Sequence, residues 1–173
     1  MQSNLGEDAA AKLLSIYGIS PHLSDSDALD RVLDILSAVG FYAPAIVYSK
    51  AFQGRSYLIH FDEKNPFPGP IYGRASHGLD VAYLFQNFND HLGPEGVVAA
   101  KEFGTHLIAF ISGKPRWKKY DSEGTALAFV DGQAEEVGFS EFDGRKTDIW
   151  EVIEEVGGDK LISVIFGYMI RGS

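Results

Sequence analysis

Cysteine is absent from the 173-residue chain, which excludes a disulfide framework, a thiolate nucleophile and every Cys-ligated metal site. Basic residues are scarce: 15 Lys and Arg stand against 24 Asp and Glu, for a net charge of -9. Clustered cations are what neutralise nucleic-acid phosphates and anionic lipid head groups, and no basic cluster exceeds Arg116-Trp117-Lys118-Lys119. Neither nucleic acid nor an anionic membrane surface is therefore an expected partner. Long apolar runs are missing as well. The longest, Leu161 to Ile170, is interrupted by Ser163, Gly167 and Tyr168 and falls short of the roughly 20 residues a spanning helix needs. No membrane span is predicted, and the stretch reads as core or as a sticky tail. The chain does not open on a basic region followed by an apolar run, and it carries no Asn-x-Ser/Thr sequon, so a cytoplasmic location is expected.

The fingerprints of cofactor chemistry are lacking too. No Gly-x-Gly-x-x-Gly and no Gly-x-x-x-x-Gly-Lys-Ser/Thr occurs, so the usual cradles for dinucleotides and nucleotide phosphates are not present. The five histidines stand at 22, 60, 77, 91 and 106, never three or four residues apart as helical metal ligands are. Neither a metal nor a cofactor is expected. No serine sits in Gly-x-Ser-x-Gly, and Ser112 before Gly113 follows Phe110-Ile111, so the common nucleophile elbow is missing.

What remains is an ordinary globular composition, 45% apolar and 23% charged, with enough apolar residues for one sizeable core. Apolar residues Leu13, Leu14, Ile16 and Tyr17 after an Ala run predict a first helix ending near Gly18 and Pro21. Ser24 with Asp27 resembles a capping box, and Leu29, Val32, Leu33, Leu36 and Val39 recur at helical spacing up to Gly40. A third helix is expected over 41–53, closed by Gly54 in the left-handed conformation. The period then shortens. Tyr57 to Phe61 is a continuous apolar run bounded by Gly54 and Asp62-Glu63-Lys64-Asn65, as in a buried strand. A Pro/Gly-rich loop follows, then a short helix from Leu79 and a long one opened by Gly93-Pro94 and closed at Gly113. Thr125 to Val130 reads as a strand, Asp131-Gly132 as a turn and Arg145 to Val156 as a closing helix. Helices dominate, and two or three strands are available for a sheet.

His77 stands apart by its setting, Gly73-Arg74-Ala75-Ser76-His77-Gly78-Leu79-Asp80, between the loop after a strand and the start of a short helix. The segment from Pro66-Phe67-Pro68-Gly69-Pro70 through Ser76-His77-Gly78-Leu79-Asp80 to Phe88-Asn89 resembles the histidine region of type-B carboxylesterases, fungal-type members above all. The resemblance extends over roughly residues 7 to 153. It includes Ala109-Phe110-Ile111-Ser112-Gly113-Lys114 and the Trp117...Tyr120 pair, where Lys118 replaces the family's proline. Residues 154–173 match nothing in the family.

That resemblance implies an α/β fold: the C-terminal portion of an α/β-hydrolase, helix-rich with a small sheet and without its central strands, as a single partial domain over 1–173. It implies that His77 is the general base of a Ser-Glu-His triad, which in this family runs in the chain order Ser, acid, His. The family's acid lies in a Glu-Gly turn upstream of the histidine, whereas Glu95-Gly96 and Glu123-Gly124 both follow His77. Nucleophile, acid and oxyanion hole are thus all expected to lie outside the chain. The implied partner is a small-molecule ester, acted on only when the N-terminal part is supplied. Self-association through an exposed sheet edge is the alternative expectation. Ser76 is discounted as a partner of His77 because adjacent side chains point apart. Asp80 reads as a charge favoured by a helix N-terminus, Trp117, Tyr120, Phe67, Phe85 and Phe88 as packing aromatics, and His22, His91 and His106 as loop or helix-surface residues. His60 is expected to face the layer opposite Ile59 and Phe61.

Overall fold

A computed structural model describes residues 5–122, 124–138, 141 and 144–171, without the side chains of 144–147 and 168–171. Glu123 of the second Glu-Gly pair lies outside the described residues. In chain order the elements are helix α1 (Glu7–Ile16), α2 (Asp25–Ser37), a π-helical turn (Ala38–Tyr42), α3 (Ala43–Ala51), strand β1 (Leu58–Phe61), α4 (Leu79–Phe85) and a 3-10 turn (Asn89–His91). They continue with α5 (Pro94–Ile111), β2 (Ala126–Val130), β3 (Gln133–Val137), α6 (Gly144–Val156) and α7 (Gly158–Arg171). The chain is helix-rich with a small three-stranded mixed sheet, an arrangement compatible with the α/β class. Contacts divide it into two compact units, Met1–Ala51 with Ser140–Ser173, and Phe52–Phe139.

The first unit is helical. Leu13, Val39, Ile149, Val152 and Leu161 are fully buried there and form one apolar cluster with Tyr17 and Ile165. Ser24 caps α2 as its sequence suggests: its Oγ accepts the Asp27 N–H at 3.1 Å. The box closes side chain to side chain, with the Ser24 hydroxyl donating to Asp27 Oδ2 at 2.8 Å.

Two expected boundaries are corrected here. Gly40 does not end a helix; α2, the π turn and α3 form one continuous helix of 27 residues, Asp25–Ala51. Ala38 and Val39 are buried in the core at the π turn, and packing at such a turn holds the helix through a glycine that propensity alone would make a breaker. Nor is Gly54 left-handed, since it is not among the positive-φ glycines. Its lack of a side chain serves close approach, because a Cβ there would lie 2.6 Å from the Phe52 ring. By length and composition alone, Asp25–Ala51 would suffice to cross a membrane. Within the Leu161–Ile170 stretch, Leu161 is fully buried and Ile165 nearly so, while Phe166 is exposed.

In the second unit β1 and β2 run parallel, paired from Leu58 with Ala126 to Phe61 with Phe129. β2 and β3 form an antiparallel hairpin whose last pair is Val130 with Gln133. The two residues between them, Asp131 and Gly132, both have positive φ, 47° and 83°. That is the backbone of a type I′ turn, which Asp-Gly adopts readily. Buried Leu79, Tyr83, Ala99, Ala100, Phe103 and Phe129 make the core between the sheet and helices α4 and α5. Ile59 and Phe61 pack against it from β1; His60, between them, belongs to the opposite face of the sheet by strand alternation.

Candidate functional site

Two parallel strands have their carboxyl ends on the same side of a sheet, and in open α/β sheets that side is where ligands bind. Here it carries Asp62-Glu63-Lys64 after β1 and Asp131-Gly132 after β2. The first turn of α5, Pro94-Glu95-Gly96, lies beside them. Together they frame a groove of about 550 Å³, whose other walls include Tyr72, Tyr83 and Leu92.

Glu63 is the most constrained charge of this edge, only 4% exposed. Its Oε1 accepts the Gly132 N–H at 2.9 Å, which ties the end of β1 to the β2–β3 turn. Burial pushes its carboxyl above the usual carboxylate range; the Gly132 N–H opposes the shift, while the charges of Asp131 and Asp62 add to it. Tyr83 on α4 is 3% exposed, and its phenol is pushed up to about 12, first by burial and then by the charge of Glu63. Lys64 and Asp131 form an exposed ion pair at the rim. Glycine is required at 132, and the space at 96 is tight. A Cβ on Gly132 would meet Glu95 Cβ at 2.7 Å, and one on Gly96 would come within 3.3 Å of the Tyr83 hydroxyl.

His77 lies on the loop that leaves the same end of β1. Asn65, buried, organises that loop: its N–H donates to Arg74 O at 3.1 Å, its carbonyl accepts the Gly73 N–H at 2.9 Å and its side chain accepts the Phe67 N–H at 2.9 Å. Residues 65 and 74 are thereby clamped together, and the chain emerges at Ser76-His77-Gly78. Ser76 O accepts the Leu79 N–H at 3.1 Å and Gly78, at φ 83°, caps α4. His77 is exposed on this turn and is not among the residues lining the groove. Asp80 is half-buried in the first turn of α4.

Of the remaining singled-out residues, Trp117, Phe67 and His106 pack against other rings, whereas Phe85 does not fit the packing role expected of it. Trp117 is buried with Tyr57 at 5.6 Å, His106 at 5.8 Å and Phe110 at 5.9 Å between ring centroids. Phe67 stacks edge-on with Phe88 at 5.4 Å, Phe85 is exposed, and Tyr120 donates its N–H to Ser56 O at 2.9 Å. His106 corrects the expectation of a surface residue: it sits against Trp117 and Phe129, and burial lowers its pKa. The helical period does not reveal this, because His106 lies at the margin between the exposed face of α5 and its buried face at Phe103 and Gly104. His22 and His91 are exposed, as expected. Among the described residues no group of three or more His, Asp or Glu is arranged to hold a metal ion.

Sequence reasoning missed Glu63 and Tyr83 as members of one site. The available signal was position: an acid placed immediately past a buried strand falls at the carboxyl edge of whatever parallel sheet that strand joins. No family model matches the chain, and no curated protein and no solved structure matches it either.

Proposed function

We propose that the chain is the C-terminal segment of a carboxylic-ester hydrolase of the Ser-Glu-His type, with an α/β-hydrolase fold completed by strands outside it. His77 is its general base and a small-molecule ester its substrate. The supporting observation is the placement of the Ser76-His77-Gly78-Leu79-Asp80 motif on a clamped loop. That loop leaves the carboxyl end of β1, in a parallel β1–β2 pair, and runs into α4. The imidazole is exposed there, on the side of the sheet where a neighbouring strand would carry the nucleophile. It would take the serine proton as the hydroxyl attacks the ester carbonyl and return it to the departing alcohol.

The test is an assay on a short p-nitrophenyl ester, with the purified chain alone and mixed with an N-terminal segment bearing Gly-x-Ser-x-Gly and the acid. The chain alone is expected to be inert and the mixture to turn over, with loss of activity in His77→Gln. Rapid His77-dependent turnover by the chain alone would overturn the requirement for a second part. Turnover in the mixture that survives His77→Gln would overturn the role of His77.

A second reading is favoured by one observation. β1 ends the sheet order β1-β2-β3, so one of its edges has no strand beside it among the described residues. Leu58-Ile59-His60-Phe61 carries none of the lysines, prolines or bulges that blunt such edges. In this reading the chain is a non-catalytic product that associates through β1. Size-exclusion chromatography combined with amide exchange decides it: a compact monomer with strong protection over 57–61 counts against association.

A further inference from the structure

We infer that the groove at the carboxyl ends of β1 and β2 binds a small organic ammonium ion, with Glu63 and Tyr83 as its polar contacts. The inference rests on the groove residues alone and holds whatever His77 does. At about 550 Å³ the groove lies within the range that small-molecule sites occupy. Two polar side chains that line it are more than nine-tenths buried, Glu63 at 4% and Tyr83 at 3% exposure. Glu63 commits Oε1 to Gly132. Among the described residues its second oxygen has no hydrogen-bond partner, nor does the Tyr83 hydroxyl. Neither atom is sealed from solvent, so both can be reached from the groove they line, and the donors of a bound ligand can satisfy them there.

The sign of the ligand's charge follows from the lining. Glu63, Glu95 and Asp131 bring three carboxylates against the single ammonium of Lys64, and Lys64 is engaged with Asp131. An anion drawn to the N-terminal turn of α5 would meet Glu95, which already complements that helix end. A bare hard cation is poorly served, since it needs six or more oxygen ligands, and no three-acid group suited to a metal exists among the described residues. An alkyl- or arylammonium fits better. Its N–H groups donate to Glu63 and Tyr83, and its apolar body lies on Tyr72, Leu92 and Pro66. The Tyr72 ring at the rim also presents a face that attracts a cation.

The test is a titration of the full chain, followed by amide NMR, with benzylammonium, benzyl alcohol and benzoate, which share shape and differ in charge. Benzylammonium is expected to bind with a Kd on the order of millimolar, about tenfold tighter than the alcohol. Benzoate is expected to be weaker still, and the shifts to centre on the Gly96 and Gly132 amides. Tyr83→Phe removes one hydroxyl and keeps the ring; it should weaken binding about fivefold, and Glu63→Gln about tenfold or more. Tyr72→Ala, at an exposed rim position, reads the site without burdening the core and should weaken binding about threefold. Benzyl alcohol binding as tightly as the amine overturns the inference. So does amine binding undiminished in the Tyr83 and Glu63 variants, or shifts confined to amides outside the groove.

Discussion

A carboxylate as buried as Glu63 is costly to keep ionised, yet the same group is the acceptor that the Gly132 N–H needs. Those two effects separate in different substitutions. Its folded pKa is raised above the ordinary 4.5, so folding favours the protonated form. That stability is fully present below about pH 4.5 and is lost as pH rises through the folded pKa. Glu63→Gln keeps an acceptor oxygen without the charge. It is expected to melt higher than the parent at pH 7, with the gap closing toward pH 4, as read by paired thermal melts across that range. Glu63→Ala removes the acceptor and leaves Gly132 N–H unsatisfied, at a cost of about 1–3 kcal/mol in chemical denaturation. Gly132→Ala is the sharper case: it combines a φ of 83° with a Cβ 2.7 Å from that of Glu95. A loss of about 2–4 kcal/mol is expected from strain and overpacking together. In the sequence these residues are a polar turn and an Asp-Gly turn, 69 positions apart. Each turn is legible, but their meeting depends on β1 and β2 pairing in parallel, which no local pattern encodes.

At the level of elements, legibility follows how local the determining interaction is. The Ser24 cap, the Gly93-Pro94 opening of α5 and the αL glycine at Gly113 (φ 74°) all rest on groups within a few residues, and each ends or starts a helix where the sequence suggests. Gly40 is the counterexample, because what carries Asp25–Ala51 through it is the burial of Ala38 and Val39 against distant helices. The two readings of Gly40 make opposite forecasts. As a left-handed terminator it would resist a side chain; as a helix-interior residue it should welcome one. Its φ is not positive, and an added Cβ would meet only Phe166 at 3.5 Å, an ordinary contact. Gly40→Ala is therefore expected to stabilise by about 0.5–1 kcal/mol. A destabilisation of similar size in urea unfolding would return the helix boundary to Gly40. Ser24→Ala supplies the reference, with an expected loss of about 1 kcal/mol from the uncapped N-terminus of α2.

For the whole molecule the informative segment is the C-terminal one, residues 154–171. Were residues 154–173 an unrelated extension, they would be dispensable to the fold. Burial argues otherwise, since Leu161 at 0% and Ile165 at 4% share one cluster with Leu13, Val39, Ile149 and Val152. Burying an aliphatic side chain of this size contributes about 1.5–3 kcal/mol, so ending the chain after Val156 removes roughly 3–6 kcal/mol from those two alone. A domain holds only about 5–15 kcal/mol in total. The truncated chain is expected to lose cooperative melting by circular dichroism, or to melt far below the full chain. Leu161→Ala in the full chain should move the same way by about 2–5 kcal/mol. Near-equal melting of the truncated and full chains would refute a structural role for α7. The agreement or disagreement of these two variants then separates lost apolar burial from any other effect of shortening the chain.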